Sequence, residues 1–417
     1  MTGSTVKQRL SSGPALGSLC AVLLITCAMA TQERPATFGT LLPRSGAFDW
    51  DAGGAVARLE HEWRIELDGP EPITVPASAV RCDADLYLVD TRGGVVHHVD
   101  LAALRRVDVI GVARDGTRYL KSPLTAAIDC GANTLYVVDS NGVNVFDTRS
   151  KEFQTRFPHP PGFNQTSQSA AILDAQSKTL YVPGLWPRTS QPWLVNGRDA
   201  MFVGSWIGYV LNLADGRVSP GFPAIDKGCW SWTPDCVSVI ADRGSDGIWA
   251  VAHMVGTDIA TFDGDGTLIR RIDVRSDLFR RSGARLLRSA ARRDKFSWHY
   301  ANSVLPGLFR FDGLVATIHV HFSTEHEGKL PNVDVFMNLH RLDGTGILSD
   351  VRLPGLPLFR DDRSLYMVDY GSAGRHPIGL GPFTIVSVPV LDARGNLHAA
   401  LRAPTPGHAT IVAENRR

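Results

Sequence analysis

The segment Thr317–Gly328, TIHVHFSTEHEG, gathers three histidines and two glutamates into nine residues. His319 and His321 stand two apart, so on an extended strand both imidazoles point to the same side. Two neutral imidazoles on one side can share a divalent cation, calcium or zinc, with Glu325, His326, His299 or His253 as further ligands. A cation held in this way would activate a water for hydrolysis. The same histidines also suit a hydrogen-bonded polar mouth, or acid–base work without a metal. Other chemical signals are sparse. Asp263-Gly-Asp-Gly-Thr267 matches part of a calcium loop but lacks the downstream glutamate, and reads as a hairpin turn. GxSxG, P-loop, HExxH and GxGxxG patterns do not occur in a strand–helix context that would give them meaning.

The elements that must position these side chains repeat along the chain. Leu86-Tyr-Leu-Val-Asp90 returns as Leu135-Tyr-Val-Val-Asp139 and Leu180-Tyr-Val-Pro-Gly184, then as Ile248-Trp-Ala-Val-Ala252, Leu314-Val-Ala-Thr-Ile318 and Leu365-Tyr-Met-Val-Asp369. The starts are 49, 45, 68, 66 and 51 residues apart. A period near 50 with insertions marks a propeller or a solenoid. After each such strand comes another apolar strand ending in an Asp-led turn, at Asp100, Asp147, Asp215, Asp263, Asp343 and Asp392. Shorter apolar stretches precede several of the Leu-Tyr strands: 78–81, 125–129, 169–174 and 237–240. With a closing strand after each hairpin the unit has four strands, and the expected fold is an all-β, six-bladed β-propeller over residues 61–417. His61–Leu67 alternates like a strand and can close the ring beside the last blade, although Asn396–Leu401 competes for that edge. On this alignment His253 and His319 are equivalent, one residue beyond the Asp of the better repeats. Asp90, Asp139 and Asp369 themselves read as turn residues that satisfy backbone donors.

Residues 76–90 and 122–147 resemble NHL-type repeats: a Pro, a short inner strand, a Leu-Tyr strand ending in Asp, and a strand ending in Phe-Asp. The match is best in blades 1, 2 and 6. Propellers of this kind include scaffolds, peptide and RNA binders, and enzymes similar to gluconolactonases, paraoxonases and strictosidine synthases. The lactonase and paraoxonase relatives bind an axial calcium through acidic and Asn side chains, a set that the sequence alone does not place on particular residues here.

In this frame Cys82 and Cys130 lie in the same turn of adjacent blades and can be neighbours. Cys229 and Cys236 bracket a six-residue loop. The four give two disulfides or four thiols. Cys20 and Cys27 fall in the N-terminal segment. There Lys7 and Arg9 precede an apolar run, Ala15–Ala30, ending in Ala28-Met29-Ala30, the form of an export signal over residues 1–30. A retained anchor and a lipoprotein on Cys27 are the alternatives. Sixteen apolar residues are short of the ~20 a spanning helix needs, and no other segment qualifies. The expected location is periplasmic or extracellular. Residues 31–60, rich in Gly, Ala and Pro, read as an arm. The net charge of +1 gives no ground for nucleic acid as a partner.

The end of each second strand and the start of each first strand share one face of an antiparallel blade, and the long insertions fall there. They carry Trp186 and Trp193, the segment 322–332, the segment 370–382 with Arg375 and His376, and the basic stretch 275–295, which is either a rim helix or a lid. Trp232, Trp298, His299 and Tyr300 sit at first-strand entries, and seven of the nine tryptophans lie between 186 and 298. Aromatic groups at a mouth suit partly apolar ligands. The leading expectation is an exported module that binds a peptide, a glycan or an envelope protein. A metal-dependent lactonase- or esterase-like hydrolase is the alternative, and an envelope assembly scaffold is the third.

Overall fold

The computed structural model describes residues 60–401, apart from 67–71, 75, 114, 164–169, 187–205, 224–238, 254–257, 275, 280–302, 324–331 and 370–382. Six four-stranded antiparallel sheets form a ring, a six-bladed β-propeller, with almost no helix among the described residues. After β1 (His61–Ile65), blade 1 comprises β2 (Pro76–Cys82), β3 (Asp85–Asp90), β4 (Val95–Asp100) and β5 (Arg105–Ile110). Blade 2 is β6 (Thr125–Asp129), β7 (Thr134–Asp139), β8 (Gly142–Asp147) and β9 (Phe153–Pro158). Blade 3 is β10 (Ile172–Asp174), β11 (Thr179–Trp186), β12 (Trp206–Asn212) and β13 (Val218–Pro223). Blade 4 is β14 (Val239–Arg243), β15 (Trp249–His253), β16 (Asp258–Phe262) and β17 (Leu268–Asp273). Blade 5 is β18 (Val304–Phe311), β19 (Leu314–Ser323), β20 (Asn332–Arg341) and β21 (Gly346–Leu353). Blade 6 is β22 (Gly355–Arg360), β23 (Ser364–Asp369) and β24 (Phe383–Pro389), completed by β1.

The competition for the last edge is settled in favour of the N-terminal strand. β1 pairs with β24 from His61↔Ser387 to Ile65↔Phe383. The rival segment makes a bridge, Leu391↔Leu397, and a short 3-10 turn at Ala399–Leu401. Trp63 then stacks on Tyr366 and Tyr366 on Phe359, at centroid distances of 5.2 and 4.5 Å. Arg81 of blade 1 lies over Trp63, so the first blade grips the strand that closes the ring.

The Leu-Tyr repeat has a packing reason. On the second strand, successive side chains point to opposite faces of the sheet, and each face meets a different neighbouring blade. Leu86, Leu135, Leu180 and Leu365 pack toward the preceding blade, whereas Tyr87, Tyr136, Tyr181 and Tyr366 pack toward the following one. The apolar core is therefore a set of six wedges between blades. In blades 4 and 5 the residues that face backwards are Trp249 and Val315, not Ile248 and Leu314. Cross-strand pairing agrees: Arg81↔Leu86, Arg243↔Trp249, Arg310↔Val315 and Arg360↔Leu365 are the same rung in four blades. The sequence alignment thus slips by one residue in blades 4 and 5, and His253 and His319 occupy the Asp90 position itself.

The rung exposes a feature that the sequence reading did not single out. An arginine recurs on the inner strand of blades 1, 4, 5 and 6, and it reaches back toward earlier blades. Arg243 meets Asp174 of blade 3 at 3.4 Å. Arg310, fully buried, donates to Asp246 (2.7 Å) and to the carbonyls of Ile248 and Leu314. Arg360 donates to Asp242 (2.7 Å) and to the carbonyl of Arg243 (2.8 Å), both in blade 4. Asp242 also accepts the backbone N–H of Arg310 at 2.7 Å, so one carboxylate ties blades 4, 5 and 6.

The expected bridge between the first two blades is present. Cys82 and Cys130, 48 residues apart, form a disulfide with Cα atoms 5.8 Å apart. Cys229 and Cys236 lie outside the described residues.

Candidate binding face

The two ends of the ring are built differently. At one end, the turns between first and second strands and between third and fourth strands are tight and organised by aspartates. Asp147 accepts the N–H groups of Arg149 and Ser150, and Asp263 those of Asp265 and Thr267. The calcium-loop-like segment is accordingly a hairpin turn. At the other end, the chain leaves β9, β11, β13, β15, β17, β19 and β23 into the segments 164–169, 187–205, 224–238, 254–257, 280–302, 324–331 and 370–382. Every one of these joins second to third strands or one blade to the next, the connections that share a face. A channel of about 590 Å³ runs between the inner strands, walled in part by Ala79, Ala127, Ala171, Ala241 and Gly307. Its other wall residues include Asp242, Arg243 and Arg360.

The strand-end aspartates hold backbone as expected. Asp90 accepts the N–H and hydroxyl of Thr74, both at 2.6 Å, and the N–H of Gly93. Asp139 accepts the N–H groups of Lys121, Asn141 and Gly142. Asp90 is held below the usual carboxylate range because its bonds to His97, Thr74 and Gly93 outweigh the cost of burial, the largest single influence on it.

His319, in the equivalent position of blade 5, is completely buried. It is stacked on Phe336 at 5.3 Å and met edge-on by Phe279 at 5.6 Å. The Asn338 carboxamide accepts the N–H of Asp350 (2.8 Å), which turns its NH₂ toward His319 Nδ1 at 3.0 Å. His319 Nδ1 is therefore an acceptor, and Nε2–H faces the Asp350 carboxylate at 3.5 Å. His253 is buried against blade 3, while His319 lies between blades 4 and 5. Equivalence thus separates the two histidines by a blade instead of bringing them together. His321 lies on β19 opposite Asp334, with its side chain outside the described residues. Among the described residues, no three His, Cys, Asp or Glu side chains converge on a point that would hold a metal. Trp232, Trp298, His299, Tyr300, Glu325, Arg375 and His376 also lie outside the described residues.

Trp186, at the end of β11, is half-buried and meets Tyr209 edge-on at 6.4 Å. It belongs to an aromatic group that includes Phe163 and His159, neither of which the sequence reading singled out. His159 Nε2 donates to the Asp139 carbonyl (2.7 Å), so Nδ1 must accept from the Tyr209 hydroxyl at 2.8 Å. The available signal was His159-Pro-Pro-Gly-Phe163 at a blade junction, where two prolines fix the chain beside an imidazole. Gly208, at φ +69°, lets β12 approach β11 here, since a Cβ would sit 2.6 Å from both the Tyr181 hydroxyl and the Val182 carbonyl.

Burial pushes the His159 imidazole below its ordinary value of 6.5, and burial pushes the Tyr209 phenol up. Because the folded-state value is depressed, the unfolded chain binds the proton more readily. The neutral imidazole stabilises the fold fully above about pH 6.5, and this stability is lost as pH falls through the folded-state value. Thermal melts of wild type and His159→Gln between pH 5 and 7.5 test this. The wild type is expected to lose at most ~1.4 kcal/mol per pH unit more than the variant. Parallel curves would refute the assignment.

No protein-family model matches the chain, and no curated protein matches it. Solved structures do. A member of the DUF4221 family from Bacteroides vulgatus superposes with a TM-score of 0.56 at 9% identity, covering 80% of this chain and 97% of its own. A protein from Bacteroides fragilis, described as exported, gives 0.51 at 8% identity, with 80% and 95% covered. Regucalcin from Agrobacterium tumefaciens, described as calcium-binding, gives 0.43 at 12% identity, with 80% and 97% covered. The six-bladed architecture is thus shared with solved structures, and at these identities the likeness is one of fold.

Proposed function

We propose that this propeller is an exported binding module that holds a peptide, a glycan or an envelope protein on the face where the long connections emerge. The observation that carries the reading is the difference between the two ends of the ring: strand-to-strand turns of two to five residues at one, and at the other six segments of six or more residues, 164–169, 187–205, 224–238, 280–302, 324–331 and 370–382. Loops raised on a rigid scaffold are where recognition residues concentrate. The half-buried Trp186 and the aromatic group beneath it lie at the same end.

Peptide and glycan arrays probed with the mature chain test the proposal. In a second chain, 187–205 and 371–381 are exchanged for short Gly-Ser turns. Specific binding by the first and its loss from the second, with unchanged melting, is the expected result. Equal binding by both chains would refute the face assignment.

Export is supported by the sequence of residues 1–30 and by the Cys82–Cys130 bridge, since disulfides persist in oxidising compartments. Mass spectrometry of the exported protein is expected to find Thr31 at the N-terminus. An intact N-terminus in a membrane fraction would favour a retained anchor.

A further inference from the structure

On the same face, the junction of blades 1 and 2 forms an open recess of about 670 Å³, within the size range of small-molecule sites. Three connections wall it: the entry to blade 1 at Thr74, the β3–β4 turn at 91–94, and the entry to blade 2 at 118–122. Three cationic residues line it, Arg92, Arg118 and Lys121, and among the described residues its lining contains no carboxylate.

Backbone geometry brings these cations together. After β5, Gly111 takes φ +100° and the chain doubles back in a narrow loop. That loop is closed by the Val112↔Arg118 bridge, by Ala113 N–H to the Thr117 carbonyl, and by the Asp115 carboxylate on Thr117 N–H. Arg118 is thereby carried back over blade 1, where its guanidinium donates to the Gly93 carbonyl. Lys121 is fixed by its own N–H on Asp139 at 2.8 Å, and Arg92 sits in the turn tied to Asp90. Asp90 and Asp139 lie beneath, buried and each accepting three donors from this region. Behind Asp90 stand His97, at 3.4 Å, and Arg106, at 3.4 Å from His97. Three cations among the described lining residues favour negative charge at this recess. Two planar guanidinium groups add a geometry suited to paired anionic oxygens.

We propose that this recess binds a ligand bearing two or more clustered anionic oxygens, from carboxylate or phosphate groups. The inference rests on the reading of this face as the ligand face and assigns it a ligand class.

Isothermal titration of the mature chain with citrate, with pyrophosphate, and with the neutral tricarboxamide of propane tests it. Saturable 1:1 binding of an anionic probe is expected, weakening as salt is raised, with no binding of the amide. Tighter citrate identifies carboxylates, and tighter pyrophosphate identifies phosphates. Arg118→Ala and Lys121→Glu are each expected to weaken the favoured probe about tenfold or more. If Arg118→Ala melts early, Lys121→Glu and Arg92→Glu, which alter exposed side chains, carry the comparison. The proposal fails if neither anion binds below about 10 mM, or if the triple variant Arg92→Ala/Arg118→Ala/Lys121→Ala binds as wild type. The Gly-Ser-exchanged chain keeps all three cations. Probe binding retained without any array ligand would refute the wider reading alone, and the reverse would refute this one alone.

Discussion

Replacing Asp242 by alanine is expected to destabilise the propeller by about 3–5 kcal/mol, the range for removing one partner of a buried ion pair. The carboxylate accepts Arg360 Nε and Arg310 N–H, each at 2.7 Å, and both donors would lose their acceptor together. The Arg310 side chain, completely buried, is anchored separately on Asp246 and main-chain carbonyls, so its charge stays compensated while its N–H is orphaned. Asp242→Asn keeps an acceptor and removes the charge, and is expected to cost less, about 1–3 kcal/mol. Coupling is the sharper readout. Arg360→Met on the Asp242→Ala background should cost less than Arg360→Met alone by roughly 1–3 kcal/mol, because the pair is already broken. Urea denaturation of the four chains measures the cycle. Additive losses would show that the carboxylate does not join blades 4 and 6.

Removing the Cys82–Cys130 bridge is the second large expected effect. The bond closes a span of 48 residues, and loop-closure entropy for that length is worth roughly 4 kcal/mol in the unfolded chain. Blades 1 and 2 also share an apolar wedge containing Tyr87, Val89, Ala126, Leu135 and Phe146, so the native junction does not depend on sulfur alone. Cys82→Ser/Cys130→Ser is therefore expected to fold, with stability lowered by about 2–4 kcal/mol and with melting no longer sensitive to reductant. Wild type treated with dithiothreitol should melt like the double variant. A wild type whose melting is unmoved by reductant would show that the bridge contributes nothing to stability.

The strands of the fold were largely legible because their signals are local. Alternation of Leu and Tyr with β-branched residues marks the second strands, and Asp-led turns mark the hairpins. Asp90 and Asp139 act within one strand end and the segment just before their own blade, so their role could be read nearly in place. The disulfide was legible for a related reason: Cys82 and Cys130 hold equivalent turns in consecutive repeats, and consecutive blades are neighbours.

The register of blades 4 and 5 was not legible. Ile248-Trp249 and Leu314-Val315 put two apolar residues side by side, and either can start the alternation. Pairing with Arg243 and Arg310, and the packing of the adjacent blade, selects the second. The metal reading of TIHVHFSTEHEG began from strand parity. Parity gives a common side for His319 and His321, but what lies on that side for His319 is Phe279, Phe336, Asn338 and Asp350. The cations of the junction recess are ordinary surface residues in the sequence, with Arg92 and Arg118 separated by 26 positions.

By itself, then, the sequence determined the strands, the repeat and the one bridged junction, because hydrogen-bonding alternation and turn chemistry act within a few residues. Tertiary structure alone decided which strand closed the ring, how blades 4 and 5 are registered, the Asp242 tie across three blades and the meeting of Arg92, Arg118 and Lys121. Each of these depends on contacts between segments far apart in the chain, and their energies exist only once neighbouring blades have packed.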